Sequence, residues 1–290
     1  MRQLLWCLPL CFLAGCALSA EQTPSPVDTE RVPEAVDDKS GGSKEGDAER
    51  PKIDSTRKLP DNDGMVRLAK TDPITFLEDA ILRCNREVKG YTCVLTKHER
   101  VGGKLQPKEV IDCWFREQPF SVLMDWQKGI GLAKKTLYVA GENGGKLLAM
   151  PAGWRRIAGI QSRDVKSADA MKTSRFPITE FGLKKGAESA LAPWKAAKKR
   201  GDLKVVYGGV KHPPELNKRA CWEVKRIGYR EPEEDGITES TFYFDTETWL
   251  MTGSILRGED GKLIATYYFT DIKLNPEFPE DQFTRKALKN

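Results

Sequence analysis

The sequence predicts an α+β domain built on an antiparallel sheet, and three observations carry that expectation. Thr238 to Asn275 holds three runs rich in aromatic and β-branched residues, joined by the short turns Thr246-Glu247-Thr248 and Gly258-Glu259-Asp260-Gly261, which is the signature of an antiparallel meander. Asp72 to Gly90 carries apolar residues at helical spacing, and Pro177 to Lys199 is helical at both ends. Between these lie several short strand-like runs separated by glycine-rich turns. Helix, strands, a helical insertion and then a meander make an α+β order rather than alternating βαβ units.

The chain begins with Met1-Arg2-Gln3 and an apolar run from Leu4 to Ala14, too short to span a bilayer as a helix. That run ends in Leu13-Ala14-Gly15-Cys16, which resembles the lipobox of bacterial lipoproteins. Cleavage there needs small residues before the cut, and lipid attachment needs a thiol to form the thioether. The other reading is an ordinary signal peptide cut after Ala20, but Leu18 is large where such a site takes a small residue. The expected anchor is therefore an acyl-modified Cys16, of the palmitate-bearing lipoprotein type. Ala17 follows it and no Asp stands there, and by resemblance to enterobacterial sorting this implies the outer membrane, facing the periplasm.

Glu21 to about Asp63 is rich in Pro, Ser, Gly and charged residues and lacks aromatics, so it cannot bury enough apolar surface to offset its ordering entropy. As a random coil its ~43 residues would span roughly 35–40 Å, a tether between membrane and body. The expected organisation is a signal peptide over residues 1–15, a lipidated cysteine and tether over 16–70, and a folded domain over 71–290. The net charge is +5. Residues 17–70 carry more acid than base and the body carries more base than acid, which suits an anionic surface or simply a solvated one. No nucleic-acid-binding motif or dense basic helix occurs, so a nucleic-acid partner is not expected.

Asp72 is a suitable N-cap and Pro73 a suitable first helical residue. Ile74, Leu77, Ile81, Cys84 and Val88 form the apolar stripe that follows, with Gly90 as the stop. Tyr91 to Val101 is the first expected strand, Gly102-Gly103 its turn, and Lys108 to Glu117 the return. Phe120 to Trp126 is a third strand. Lys135 to Ala140 and Lys146 to Met150 make a hairpin around Glu142-Asn143-Gly144-Gly145, whereas Trp154 to Val165 has no clear period. In the helical insertion, Phe181, Leu183, Leu191, Trp194 and Ala197 form an irregular apolar face that Pro193 is expected to kink or split. Leu203 to Tyr207 and Arg219 to Tyr229 lead into the meander.

Catalytic chemistry is hard to place on this chain. Only His98 and His212 exist, and no metal-binding signature, nucleophile elbow or phosphate loop accompanies them. Glu233-Glu234-Asp235 reads as a solvated acidic turn. A non-enzymatic protein without cofactor or metal is expected. Once Cys7 and Cys11 leave with the signal and Cys16 is lipidated, Cys84, Cys93, Cys113 and Cys221 remain. Four cysteines in an oxidising compartment fit disulfides, with three full pairings open. They fit buried thiols within strands and a helix equally well.

A set of local motifs carries a resemblance. Tyr91-Thr92-Cys93, Phe115-Arg116 followed by Pro119-Phe120-Ser121-Val122, and Ser174-Arg175-Phe176-Pro177-Ile178 come first. Phe244-Asp245-x-x-Thr248-x-Leu250 and Tyr268-Phe269-Thr270-Asp271-Ile272-Lys273-Leu274-Asn275 follow. Together, over about Asp72 to Phe283, they resemble an uncharacterised family of bacterial exported lipoproteins, a domain of unknown function. That family is distantly similar to the LolA/LolB-type lipoprotein carriers, a group that includes periplasmic stress-signal sensors. The resemblance implies a strongly curved antiparallel sheet, an incomplete β-barrel, with helices over its concave face and a cavity for acyl chains. Several strands here are apolar on both faces, as a covered or cavity-lining sheet requires. The expected cavity or lid residues are Leu77, Ile81, Trp114, Phe181, Trp194, Tyr243, Trp249 and Tyr268. Expected partners are the membrane, through the lipid, and acyl chains, lipoproteins or an envelope protein. The lipobox and tether depart from a soluble shuttle and imply an anchored binder or sensor.

Overall fold

Among the described residues, twelve antiparallel strands are hydrogen-bonded into an open, curved sheet whose two ends do not meet. The computed structural model describes residues 53–228 and 236–289, all within one unit spanning residues 48–290. The expected signal peptide, Cys16, most of the tether and the Glu233–Asp235 turn lie outside the described residues. In chain order the elements are α1 (Asn62–Thr71), α2 (Pro73–Glu87), β1 (Gly90–Val101), β2 (Lys104–Leu105), β3 (Glu109–Arg116), β4 (Ser121–Lys128), β5 (Ala133–Val139), β6 (Leu147–Pro151) and β7 (Gln161–Arg163). The short helix α3 (Ala168–Met171) and the longer α4 (Lys185–Arg200) follow, then β8 (Lys204–Lys211), β9 (Cys221–Ile227), β10 (Glu239–Asp245), β11 (Met251–Arg257) and β12 (Leu263–Leu274). The sheet runs β7-β6-β5-β4-β3-β1-β12-β11-β10-β9-β8, and the short β2 pairs only with β1. Pairing β1 with β12 joins an N-terminal and a C-terminal meander at the centre.

The α+β order and the antiparallel meanders agree with expectation, and four local features differ. First, the folded body begins earlier than residue 71. Met65 and Ala69 of α1 are buried, and Ile53 and Leu59 pack against the same cluster. Arg86 Nη2 donates to the carbonyls of Ser55 (2.6 Å) and Arg57 (2.7 Å). Asp61 caps α1 by accepting from the Gly64 N–H at 2.7 Å. The few apolar residues of this segment are too sparse to signal a helix alone; tertiary packing decides it. Second, α2 stops at Glu87, and Gly90 instead opens β1, where a Cβ would stand 2.7 Å from the Phe115 carbonyl. Asn275 closes the helix from across the sheet. Its Nδ2 donates to the Glu87 carbonyl (2.8 Å) and its Oδ1 accepts from the Lys89 N–H (2.7 Å).

Third, Asp72 makes no side-chain cap to the backbone of α2; it accepts from Thr75 Oγ1 (2.7 Å) and from Lys198 Nζ (3.1 Å) of α4. Fourth, Pro193 does not split α4, which runs through it for 16 residues. Proline removes one helical hydrogen bond, and burial of Leu191, Trp194 and Ala197 on either side holds the helix together.

The helices gather over one half of the sheet. Phe76, Leu77, Ile81, Leu191 and Trp194 pack with Trp222, Val224, Phe242, Phe244 and Met251 of β9, β10 and β11. On the opposite face of β4–β6, the C-terminal segment places Phe283 and Leu288 against Leu123, Leu137 and Leu148. A third group, Leu216, Cys221 and Tyr268 with Tyr243, covers that outer face near β11. Asp245 builds the turn into β11. Its Oδ1 accepts from the N–H groups of Glu247 (3.1 Å) and Thr248 (2.9 Å) and from Thr248 Oγ1 (3.0 Å), while Oδ2 takes Arg219 Nε at 2.5 Å.

Candidate functional site

Alternation along the central strands sets the lining of the site. On β1 the buried stripe is Tyr91, Cys93, Leu95, Lys97 and Glu99; on β3 it is Glu109, Ile111, Cys113 and Phe115. Tyr267 and Phe269 of β12 pack on the same side. Facing them are α4, through Gly186, Ser189, Ala190 and Trp194, and the segment carrying Phe176, Ile178 and Phe181. The space between is a cavity of about 1190 Å³, above the ~300–1,000 Å³ common for small-ligand pockets. Tyr91 closes one end: it stacks on Phe115 with ring centroids 4.7 Å apart, and its hydroxyl accepts from the Leu183 N–H at 3.0 Å.

The stripe on β1 changes from apolar to charged as it passes Leu95. Lys97 Nζ donates to Glu99 Oε2 at 2.7 Å and lies 3.5 Å from Glu109 Oε2, its cross-strand neighbour. Tyr267 Oη donates to Glu99 Oε1 at 2.6 Å, and Trp126 Nε1 to Glu109 Oε2 at 2.5 Å. Burial raises the Glu109 carboxyl above the ordinary glutamate value; Lys97 and the Trp126 N–H oppose that rise, and Glu99 adds to it. At the rim, Trp154 is 80% exposed and Ile157 91% exposed, with Arg155 and Arg156 between them. Leu132 sits beside this turn, its carbonyl accepting from the Ala152 N–H at 3.0 Å.

Two of the expected cavity residues, Phe181 and Trp194, line the cavity. Leu77, Ile81 and Trp249 lie instead in the packed cluster beneath the helices, where Trp249 Nε1 donates to Asn62 Oδ1 at 2.8 Å. Trp114, Tyr243 and Tyr268 fall on the outer face of the sheet. Their neighbours Phe115, Phe242 and Tyr267 point inward, because parity reverses at each residue. The residues missed were Leu95, Ile111, Met124, Trp126 and the Lys97–Glu99–Glu109 group. Their signal was available: charged residues at every second position, continuing the apolar stripe of β1.

Cys84, Cys93, Cys113 and Cys221 are all buried free thiols, the second of the two open readings. Cys93 and Cys113 stand opposite each other across β1 and β3. Burial pushes the Cys84 thiol up to about 12 and the Cys221 thiol to about 11, which suppresses the nucleophilic thiolate. Among the described residues, no group of three metal-ligating side chains occurs, and no helix is long and apolar enough to cross a membrane.

Residues 88–289 match the family described as "Protein of unknown function (DUF1571)". No curated protein gives a match. Among solved structures, the chain is similar to a chain of the Pseudomonas aeruginosa MucA/MucB complex. The identity there is 16%, over 72% of this chain and 62% of that one, with a TM-score of 0.42. It is also similar to the Mycobacterium tuberculosis lipoprotein LppX, at 10% identity over 72% and 99% of the two chains and a TM-score of 0.36. A LolA superfamily protein from Nitrosomonas europaea is 8% identical over 73% and 98%, with a TM-score of 0.30.

Proposed function

The chain belongs to the DUF1571 family, whose description assigns no function, and we propose that its folded body is a non-enzymatic module that holds an acyl chain. In this reading a lipid on Cys16 anchors the module to the envelope, at the outer membrane facing the periplasm. The observation that carries the acyl-binding reading is the open cavity of about 1190 Å³ walled by Leu95, Ile111, Met124, Phe181, Trp194 and Phe269. A protein interior packed for stability alone leaves no continuous void of that size. A sixteen-carbon chain placed there buries about fifteen methylenes at ~0.8 kcal/mol each, roughly 12 kcal/mol. An association cost of about 4 kcal/mol leaves ~8 kcal/mol, a Kd near 1 μM. The exposed Trp154 and Ile157 give the rim an apolar entry for such a chain. The same exposed pair supports a second reading, an envelope sensor that docks a protein on this rim.

The test is titration of the full chain with the neutral fluorescent probe N-phenyl-1-naphthylamine, followed by displacement with palmitate. Saturable, competitive binding is expected. A folded chain that takes up no probe, yet co-purifies from envelopes with one stoichiometric protein, removes the acyl reading in favour of the sensor. Fractionation tests the anchor separately: Cys16→Ser is expected to leave the membrane pellet, and its retention there with unchanged mass refutes lipidation.

A further inference from the structure

We infer that the Lys97–Glu99–Glu109 cluster is the polar end of the cavity and selects amphiphiles that carry a protonated amine. This rests on the acyl-binding reading and adds the head-group chemistry. The three side chains are 7%, 3% and 6% exposed and lie on the cavity wall beside Leu95. Two carboxylates against one ammonium leave a surplus of negative charge in a desolvated place, which is costly without a partner.

The hydrogen bonds already made say which partner fits. Lys97 Nζ is committed to Glu99 Oε2 (2.7 Å) and reaches Glu109 Oε2 and Ser174 Oγ at 3.5 Å each. Both oxygens of Glu99 accept, from Lys97 and Tyr267. The contacts to Glu109 from Trp126 and Lys97 converge on Oε2, and Oε1 accepts no hydrogen bond among the described residues. An entering N–H donor therefore finds a carboxylate oxygen, whereas an entering anion finds two carboxylates and a lysine already engaged. Strand residues rise about 3.3 Å each, so an ammonium at Glu109 lies one side-chain step from the apolar wall at Leu95 and Ile111, with the alkyl chain running along it.

Other charged groups line the cavity nearer its rim. Arg163 pairs with Asp169 at 3.6 Å, and Lys185 pairs with Glu180 at 3.8 Å. Arg155 and Lys172 are exposed. Solvent screens these groups far more than the buried cluster, so the cluster sets the preference.

The experiment loads the full chain with N-phenyl-1-naphthylamine and displaces it with dodecylamine, dodecanol or dodecanoate, which share one chain length. Dodecylamine is expected to displace the probe at about tenfold lower concentration than the other two, the effect of one charge-assisted hydrogen bond away from water. In Glu109→Gln the amine should lose its advantage over dodecanol; Glu99→Gln provides a second variant with the same expectation. Equal displacement by all three compounds in the unmodified chain overturns the inference and leaves acyl binding standing. So does an amine advantage that survives both glutamine variants. The ranking in the unmodified chain decides the matter even where a variant fails to fold. Absence of any saturable probe binding overturns the acyl-binding reading and this inference with it.

Discussion

Replacing Asp245 with Ala should destabilise the fold by about 2–4 kcal/mol, through the turn that aims β11. The carboxylate is 2% exposed and accepts four hydrogen bonds, two of them from the backbone N–H groups of Glu247 and Thr248. Each backbone bond to a charged acceptor contributes roughly 1.5 kcal/mol net, the low end for a charged group, and a stranded buried N–H adds to the loss. Arg219 adds only ~0.5 kcal/mol, because its side chain is half exposed and solvent screens the pair. A loss of this size lowers Tm by roughly 5–15 °C in a domain of this length, readable by thermal circular dichroism. Burial would raise the Asp245 carboxyl, but Arg219 and Thr248 outweigh it and hold it below the ordinary carboxylate value. A folded-state pKa below the unfolded one stabilises the protein above the unfolded value, and that share is lost as pH falls through the folded one. The gap between the parent and Asp245→Ala should therefore be full at neutral pH and narrow only below about pH 4. A gap under 0.5 kcal/mol at neutral pH, or one that widens on acidification, refutes this account of the turn.

Three further outcomes follow from particular contacts. Met65→Ala should cost about 2–4 kcal/mol in urea unfolding, because Met65 is fully buried within the helical cluster; a neutral effect would return α1 to the tether. Met124→Glu, on the cavity wall, should weaken N-phenyl-1-naphthylamine binding at least tenfold with the circular dichroism spectrum preserved, and undiminished binding would place the probe elsewhere. Cys84, Cys93, Cys113 and Cys221 should resist iodoacetamide at pH 8 in the folded chain and react in denaturant, as peptide mass spectrometry can follow; a disulfide-linked pair in the isolated protein would refute the free-thiol state.

Much of the fold was legible because local chemistry and tertiary structure agree. Gly102 and Gly103 both have positive φ, as the turn they announced requires. The Asp245-x-x-Thr248 pattern is legible as a turn because the carboxylate accepts from the N–H groups of Glu247 and Thr248. The candidate site was read less well, since β3, β10 and β12 carry apolar residues on both faces. Choosing between Trp114 and Phe115, or between Tyr267 and Tyr268, needs the pairing Lys97↔Tyr267 and Tyr91↔Phe115, which no single strand reveals. The start of the body was missed for a related reason. Ile53, Leu59 and Met65 are spaced for distant partners and not for one another.

The position of the cavity follows from how unevenly the helices are spent. α1, α2 and α4 together pack over β8 to β11, where the aromatic side chains Phe76, Trp194, Trp222, Phe242 and Phe244 cluster beneath them. Packed directly on β1, β3, β4 and β12 are the end of α2 at Cys84, Val88 just after it, and the irregular segment around Phe181 and Leu183, while α4 faces them across the cavity. An irregular segment cannot present the dense side-chain ridge of a helix, so the sheet beyond Leu95 is left with space above it. A sheet face of that kind is normally either closed by larger side chains or made polar. Here the same strands do both in sequence: Tyr91, Phe115 and Phe181 close one end with stacked and tilted rings, and Lys97, Glu99 and Glu109 make the other end polar. Between the closed apolar end and the charged end, Leu95 and Ile111 leave an apolar stretch open to the rim at Trp154. Under the proposed acyl-binding reading, a site with one apolar and one charged end would discriminate by head group, which is why displacement by chains of equal length and different head groups is the most informative measurement on this protein.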